Sequence, residues 1–312
     1  PTPADVKDAI KNNICRCTGY KKIEEAILLA AKIFRENTPV PKHDFSGIVG
    51  ENLPRVDALA KTLGTAKYAD DVQMEGMLYG SAVRSQYPRA RVLSIDTTEA
   101  KALPGVAAVI TADDRPGNRI VGHLKKDQSV LVGIGEITHF LGDPIVLVAA
   151  DSKETLEKAK SLVKIEFEEL PGIFSVHDAM AENAVLVHES VPGNLLAHEH
   201  LVRGNADEKI RNSKYVVTQK YSTPATEHAF LEPETAVAAP EKDGVILYSG
   251  VQGIYQTKKE CSEATGLPPE KVRVVAMMVG GGFGGKEDMS VQHHAAVLAL
   301  ATQKPVKVSL TR

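Results

Sequence analysis

The stretch VGGGFGGKED, residues 279–288, places five glycines in six positions and then Lys286 and Glu287. A main chain this bare lets its amides come close to a bulky ligand and reach conformations closed to other residues. Glycine also loses the most freedom on ordering, and flexibility alone does not call for Phe283 in the middle. An apolar strand pattern, KVRVVAMMV, precedes the stretch, and an apolar helical pattern containing AAVLALA spans 289–303. Strand, glycine turn and helix together form the unit that binds anions through backbone N–H groups. Gly280-x4-Gly285-Lys286 matches most of the Walker A pattern, which needs Ser or Thr next to hold Mg²⁺. Glu287 stands there instead, and a carboxylate repels triphosphate oxygens. A P-loop-like nucleotide-binding protein is therefore the alternative of a different class, and a larger anionic cofactor is favoured.

The remaining chain supplies an α+β frame. Two helices are predicted within 1–36, around NNICRCTGY; Thr18 and Gly19 stand at the entry to the second, and Ile23, Ala26, Ile27, Ala30, Ala31 and Phe34 line one of its faces. RENTPVPKHDFSG is punctuated like a linker, here bounded at 37–46. From 47 to 180 the strand patterns are GMLYGSAVRS, ARVLSIDT, VAAVITA, DPIVLVAA and LVKIEFEEL, with helices at TTEAKAL and SKETLEKAKS. From 181 to 312 strands are predicted at YVVTQKYS and KVRVVAMMV, a hairpin at TAVAAPEKDGVILYSG, and helices at 254–265 and 289–303.

Residues 249–288 as a whole, from SGVQGIYQTKKECSEATGLPPEKVRVV to the glycine turn MVGGGFGGKED, resemble the cofactor segment of the xanthine dehydrogenase/aldehyde oxidoreductase family of molybdenum hydroxylases. GTAKYADD, AVRSQYPRARVLSIDTTEAKALPGVAAVITADD, LGDPIVLVAADSKETLEKAKSLVKIEFEELP and TEHAFLEPE resemble successive segments of the same family's molybdenum subunit, in order. The resemblance implies an a/b hammerhead domain over 47–180 and the first part of a molybdopterin-binding domain over 181–312. It implies a pterin cofactor bearing molybdenum, contacted by Gly282, Phe283 and Gly284, with Gln252 near a molybdenum ligand. The cytosine dinucleotide form of the pterin is left open.

Cys15-Arg16-Cys17 sits between two predicted helices, which suits a metal cluster; two adjacent thiols of this kind make a strained disulfide. CRCTGY resembles the second half of the cluster motif of the family's α-helical 2Fe-2S domain. Residues 1–36 are then the end of that domain, with Cys15 and Cys17 as ligands and two more cysteines upstream of Pro1. The linker leaves no room for a flavin domain, so no FAD is expected on this chain, and a separate flavoprotein or another acceptor takes the electrons. The third cysteine, Cys261, falls in the 254–265 helix and reads as a packed thiol.

The implied reaction is hydroxylation of a purine or related N-heterocycle with water as oxygen source, electrons leaving through 2Fe-2S clusters; aldehyde oxidation is the runner-up. Glu287 matches the position of a substrate-anchoring glutamate in purine-hydroxylating members. In a purely structural role it would pair with Lys286 or cap the next helix. The family's general-base glutamate is expected beyond Arg312, so no catalytic base is assigned here. His228 and Glu232 match the family and are expected to support the cofactor region. His198 and His200 would share a strand face, a surface pair with no third ligand nearby. His293 and His294 would point about 100° apart on a helix and not chelate. A non-catalytic relative without molybdenum is a further alternative.

A formal net charge of −3 gives no reason to expect nucleic acid or an acidic membrane as partner. No apolar run approaches the ~20 residues that span a bilayer. Three cysteines in 312 residues argue for a reducing, cytoplasmic setting. A small-molecule heterocycle or aldehyde is the expected partner, and a homodimer is left open. The chain opens at Pro1 and stops at KPVKVSLTR, a strand pattern, so it is expected to be a stretch of a longer protein.

Overall fold

The computed structural model describes residues 1–15, 18–41, 46–51 and 53–311, which divide into two compact units at Gly64. In the first unit α1 (Pro3–Ile10) begins behind Thr2. The Thr2 hydroxyl accepts from the Asp5 amide at 3.3 Å, and the Asp5 carboxylate accepts from the Thr2 amide at 2.7 Å. This reciprocal cap, with Pro3 at the first helical position, fixes where the helix starts. α2 (Lys21–Glu36) is entered through Tyr20 (φ 67°), one residue past the expected Thr18–Gly19, and ends at Asn37 (φ 51°). None of its residues is buried, and Phe34 is 86% exposed. The apolar stripe read from the sequence is therefore largely uncovered among the described residues. α3 (Ala58–Thr62) completes this unit.

The second unit is built on a seven-stranded sheet. Its elements in chain order are β1 (Leu78–Arg84), β2 (Ala90–Asp96), α4 (Thr98–Ala102), β3 (Val106–Ile110), β4 (Ile120–Val121) and β5 (Gln128–Ser129). There follow β6 (Pro144–Ala150), α5 (Lys153–Leu162), β7 (Lys164–Glu169), α6 (Val176–Ala179) and α7 (Ala206–Arg211). The last are β8 (Thr235–Glu241), β9 (Gly244–Ser249), α8 (Ile254–Thr265), β10 (Val272–Ala276), α9 (Gln292–Thr302) and β11 (Val306–Ser309). The sheet order is β10-β9-β8-β11-β1-β6-β3, while β2 pairs with β7 and β4 with β5. Strands from both sides of residue 180 thus share one sheet.

Strand β6, PIVLVAA, is buried along its whole length because both of its faces are covered. Leu147 and Ala149 enter a core shared with α8 and α9, while Val146, Val148 and Ala150 enter a second core with Leu156 and Ala159 of α5. A strand covered on both faces reads as a continuous apolar run rather than an alternating one. The Ser152 hydroxyl caps α5, accepting from the Thr155 amide at 3.1 Å. α9 is buried from Gln292 to Ala299 and packs against β8, β9 and β11. No helix of the described residues is long and apolar enough to cross a membrane.

Two expectations fail here. YVVTQKYS (215–222) is not a strand: residues 215–222 are exposed, and no described strand lies alongside to form a ladder. A strand exists only through its pairing, so an apolar-rich segment without a neighbour stays irregular. The final helix begins at Gln292 rather than 289, because the glycine turn extends further before the chain can wind.

Candidate functional site

Strands β9 and β10 are parallel neighbours, Val272 opposite Val245 through Ala276 opposite Ser249. Each runs into a helix, β9 into α8 and β10 into α9. Parallel strands release their following loops at the same end of the sheet, where α/β folds place ligands. Gln252, in the four-residue link from β9 to α8, is thereby brought against the glycine turn after β10.

The contacts are specific. Gln252 Oε1 accepts from the Gly284 amide at 3.0 Å and from the Lys286 amide at 3.3 Å. The Gln252 main-chain amide donates to the Lys286 carbonyl at 3.0 Å. A Cβ on Gly282 would lie 2.4 Å from Gln252 Oε1 and displace the carboxamide from where it now sits. Gly284 has φ 97°, open to glycine and costly for other residues. Phe283, with φ 55°, is held in the left-handed region despite its side chain, and the residue is 55% exposed.

Among the described residues, the Gly282 and Phe283 amides donate to no protein acceptor, although Gly282 is buried. Buried backbone donors are nearly always paired. Two adjacent unpaired amides in a turn of this shape make a concavity for an anion. At the rim Glu287 is exposed, and the Gln252 Nε2 group donates to Glu287 Oε1 at 3.4 Å. Gln252, Gly282, Phe283, Gly284 and Glu287 therefore converge as one cluster.

A second layer lies beneath the turn. His228, Phe230 and Glu232 of the irregular segment TEHAFLEPE, in which Ala229 is left-handed (φ 50°), face it: His228 and Phe230 crowd Gly285, and Glu232 crowds Gly280. Lys286 is 1% exposed; its Nζ donates to Glu232 Oε2 at 2.8 Å and stands 4.6 Å from the centre of the Phe230 ring. In a P-loop this lysine must point at the phosphates. Here it is turned inward, which, with Glu287 next to it, removes the nucleotide-cradle reading. The i, i+2, i+4 pattern of 228, 230 and 232 was the signal for this layer; Lys286 itself carried none beyond its Walker-like position.

Burial raises the Glu234 carboxyl above its ordinary value, opposed by Ser290 and by the charges of Lys286 and Arg84. Burial likewise raises the Glu260 carboxyl, against a hydrogen bond from Gln256. His293 and His294 are not splayed apart as expected: their ring centres are 3.9 Å apart. Both are buried and held uncharged by desolvation, and His294 Nε2 lies 3.1 Å from the Val130 carbonyl oxygen. A helix rotates 100° between neighbours, but flexible side-chain torsions bring the rings back together. His198 and His200, expected on a strand face, lie outside any strand, with ring centres 6.3 Å apart. No group of three or more His, Cys, Asp or Glu positioned for a metal ion occurs among the described residues.

Cys17 lies outside the described residues. The Cys15 amide donates to the Tyr20 hydroxyl at 2.7 Å, that hydroxyl donates to the Asn13 carbonyl at 3.0 Å, and the Thr18 hydroxyl donates to Cys15 Sγ at 3.3 Å. Cys261 is fully buried, and desolvation pushes its thiol far above the usual range.

Residues 187–312 match the model of the molybdopterin cofactor-binding domain, and residues 63–171 that of the aldehyde oxidase and xanthine dehydrogenase a/b hammerhead domain. The chain is 37% identical to the xanthine dehydrogenase molybdenum-binding subunit of Escherichia coli O157:H7, across 83% of this chain and 35% of that protein. It is 36% identical to the nicotinate dehydrogenase large molybdopterin subunit of Eubacterium barkeri, across 85% of this chain and 62% of that one. The solved aldehyde oxidoreductase from Desulfovibrio gigas superposes over 100% of this chain and 36% of its own, with TM-score 0.88 and 30% identity. The chain thus spans less than two thirds of the length of each of these relatives.

Proposed function

Because the chain belongs to the xanthine dehydrogenase/aldehyde oxidoreductase family of molybdenum hydroxylases, we propose that its glycine turn holds a molybdopterin cofactor for oxidative hydroxylation of a purine or related N-heterocycle. The observation that carries this is the pair of unpaired amides at Gly282 and Phe283, set beside Gln252 at the helix-facing end of a parallel strand pair. These residues fit an anionic pterin: the amides supply donors, and a Cβ at Gly282 would displace the Gln252 carboxamide beside them. When bound, the cofactor supplies the activation of water and the two-electron oxidation.

This chain's residues then bind and orient. Gly282 and Phe283 would hold the cofactor through their main-chain donors, and Gln252 Nε2 would supply a third donor beside them. Glu287 would accept hydrogen bonds from the N–H groups of a heterocycle and so orient its ring at the site. No residue of this chain is assigned as the general base. Residues 1–36 are proposed as the end of a 2Fe-2S domain, with Cys15 and Cys17 among the ligands, passing electrons to a separate flavoprotein or other acceptor. The domain limits 47–180 and 181–312 are part of the same proposal, as is a cytosine dinucleotide form of the pterin.

The heterocycle reading is favoured by the exposed carboxylate at Glu287 and by the likeness to proteins named for xanthine and nicotinate. Aldehyde oxidation is the second reading, favoured by the superposition of the whole chain on the aldehyde oxidoreductase. The test is to express the complete protein anaerobically, measure molybdenum and iron per polypeptide, and compare turnover of hypoxanthine, nicotinate and benzaldehyde. Molybdenum with heterocycle turnover is the expected result. Iron without molybdenum, or aldehyde turnover alone, would replace the reading.

A further inference from the structure

The glycine turn is closed by a single atom. Glu232 Oε2 accepts from the Gly280 amide at 2.7 Å and from Lys286 Nζ at 2.8 Å. Those two donors are the first and last residues of the loop, so one carboxylate oxygen ties its ends together. The Glu232 amide also donates to the Gly280 carbonyl at 3.2 Å, which seats the carboxylate's own backbone on the loop. Two glycines make the arrangement feasible. A Cβ on Gly280 would lie 2.5 Å from Glu232 Cβ, and one on Gly250 would come within 3.2 Å of both carboxylate oxygens.

Neither partner is placed to touch a ligand held at the Gly282 and Phe283 amides. Lys286 is 1% exposed and the Glu232 side chain 11%, and Lys286 Nζ stands over the Phe230 ring. What the pair does is fix the loop between its ends. Two charge-assisted hydrogen bonds converge on one oxygen, where neutral bonds would be about half as strong. A buried pair of this kind contributes little net stability over apolar residues of similar size, yet it is costly to break on one side only. Its place under a loop with two unpaired amides therefore needs a reason other than holding the fold together.

We propose that Glu232 and Lys286 are positioning residues, a clasp that holds the Gly282 and Phe283 amides in the shape that binds the anionic pterin. This rests on the cofactor assignment above. In that role the clasp would let the loop's ordering cost be met in folding rather than in binding.

The experiment uses the complete protein. Glu232→Asp keeps the charge but shortens the arm, so it cannot reach both donors. Glu232→Met/Lys286→Met removes both charges while keeping volume, and Lys286→Arg keeps the pair. Three quantities are read: pterin and molybdenum per polypeptide, the rate of cofactor release, and deuterium uptake by the 279–288 peptide in cofactor-free protein. The Asp and double-Met variants should lose cofactor about 10- to 100-fold faster, the range for supporting shells of bound groups. Their loop peptide should exchange faster; the cofactor-free melting temperature should stay near wild type in the double-Met variant and fall in the Asp variant, which strains one side of a buried pair, and Lys286→Arg should behave as wild type. Should the double-Met variant fail to fold, the Asp variant decides by the same readouts. A folded Asp or double-Met variant with wild-type release and wild-type loop exchange overturns the clasp. A wild-type protein that holds neither pterin nor molybdenum overturns the cofactor assignment instead, and the clasp with it.

Discussion

Gln252 and Gly284 belong to different strand-to-helix links, yet the carboxamide oxygen of the first accepts from the amide of the second at 3.0 Å. The Gly284 amide is therefore satisfied within the protein, and the donors left for a ligand include those one and two residues earlier. It also turns the Gln252 Nε2 group outward, toward Glu287. One side chain thus completes the turn with its oxygen and presents a donor with its nitrogen.

Gly282→Ala should separate these roles from stability. The new Cβ would lie 2.4 Å from Gln252 Oε1, the end of a flexible side chain that can swing away. The melting temperature should move little, while the complete protein should retain far less molybdenum, read by elemental analysis. Gly280→Ala should differ, because its Cβ meets Glu232 Cβ at 2.5 Å. That atom is fixed to backbone, and a stability loss of about 1–3 kcal/mol is expected in urea denaturation.

At the rim, Glu287→Gln and Glu287→Val should lower kcat/KM for a purine substrate at least about tenfold in the complete enzyme, and change aldehyde turnover much less. A site group that loses its partner N–H discriminates strongly, whereas an aldehyde offers no such group to lose. Equal effects on the two substrates would remove Glu287 from substrate choice.

Acid should destabilise the unit that holds His293 and His294. Burial keeps both rings neutral in the fold, with Arg84 adding repulsion, and pushes His294 down to about 3 from an ordinary 6.5. Unfolded chain binds these protons below about 6.5 and folded chain does not. Stability is therefore unaffected above that pH and falls as pH drops from about 6.5 toward 3, by about 1.4 kcal/mol per pH unit per histidine. Urea midpoints at about pH 7.5 and 5.5 measure the slope, and His294→Gln should flatten it.

In the core, Gly80→Ala would place a methyl 2.6 Å from Leu298 Cδ1 and 2.9 Å from both Val306 Cγ1 and Val308 Cγ2. All three neighbours sit in the packed layer between α9 and the sheet, so about 1–3 kcal/mol should be lost in chemical denaturation. An unchanged midpoint would mean that β11 shifts freely against β1.

Local signals made much of this legible. The hairpin around Lys242-Asp243-Gly244 and the 254–265 helix follow from turn chemistry and periodicity, and the glycine turn from composition alone. Three kinds of feature were not legible. Residues 215–222 have strand composition, but pairing is a property of neighbours and not of the segment. The contact between the His293 and His294 rings depends on side-chain torsions that backbone geometry leaves open. The Glu232–Lys286 pair joins residues far apart in sequence, and its only trace was the alternation of His228, Phe230 and Glu232.

The position of β11 has a consequence for how the molecule is made. It lies between β8, which it pairs antiparallel, and β1, which it pairs in parallel through Leu78 and Val306. During synthesis from the N-terminus, β1, β3 and β6 emerge early and can associate, but the flank of β1 has no neighbour until β11 has been translated. Pairings between distant segments are slow to form, and an open strand flank is prone to wrong partners meanwhile. Sequence changes in Val306–Ser309 should therefore show first as lower yield of correctly assembled protein.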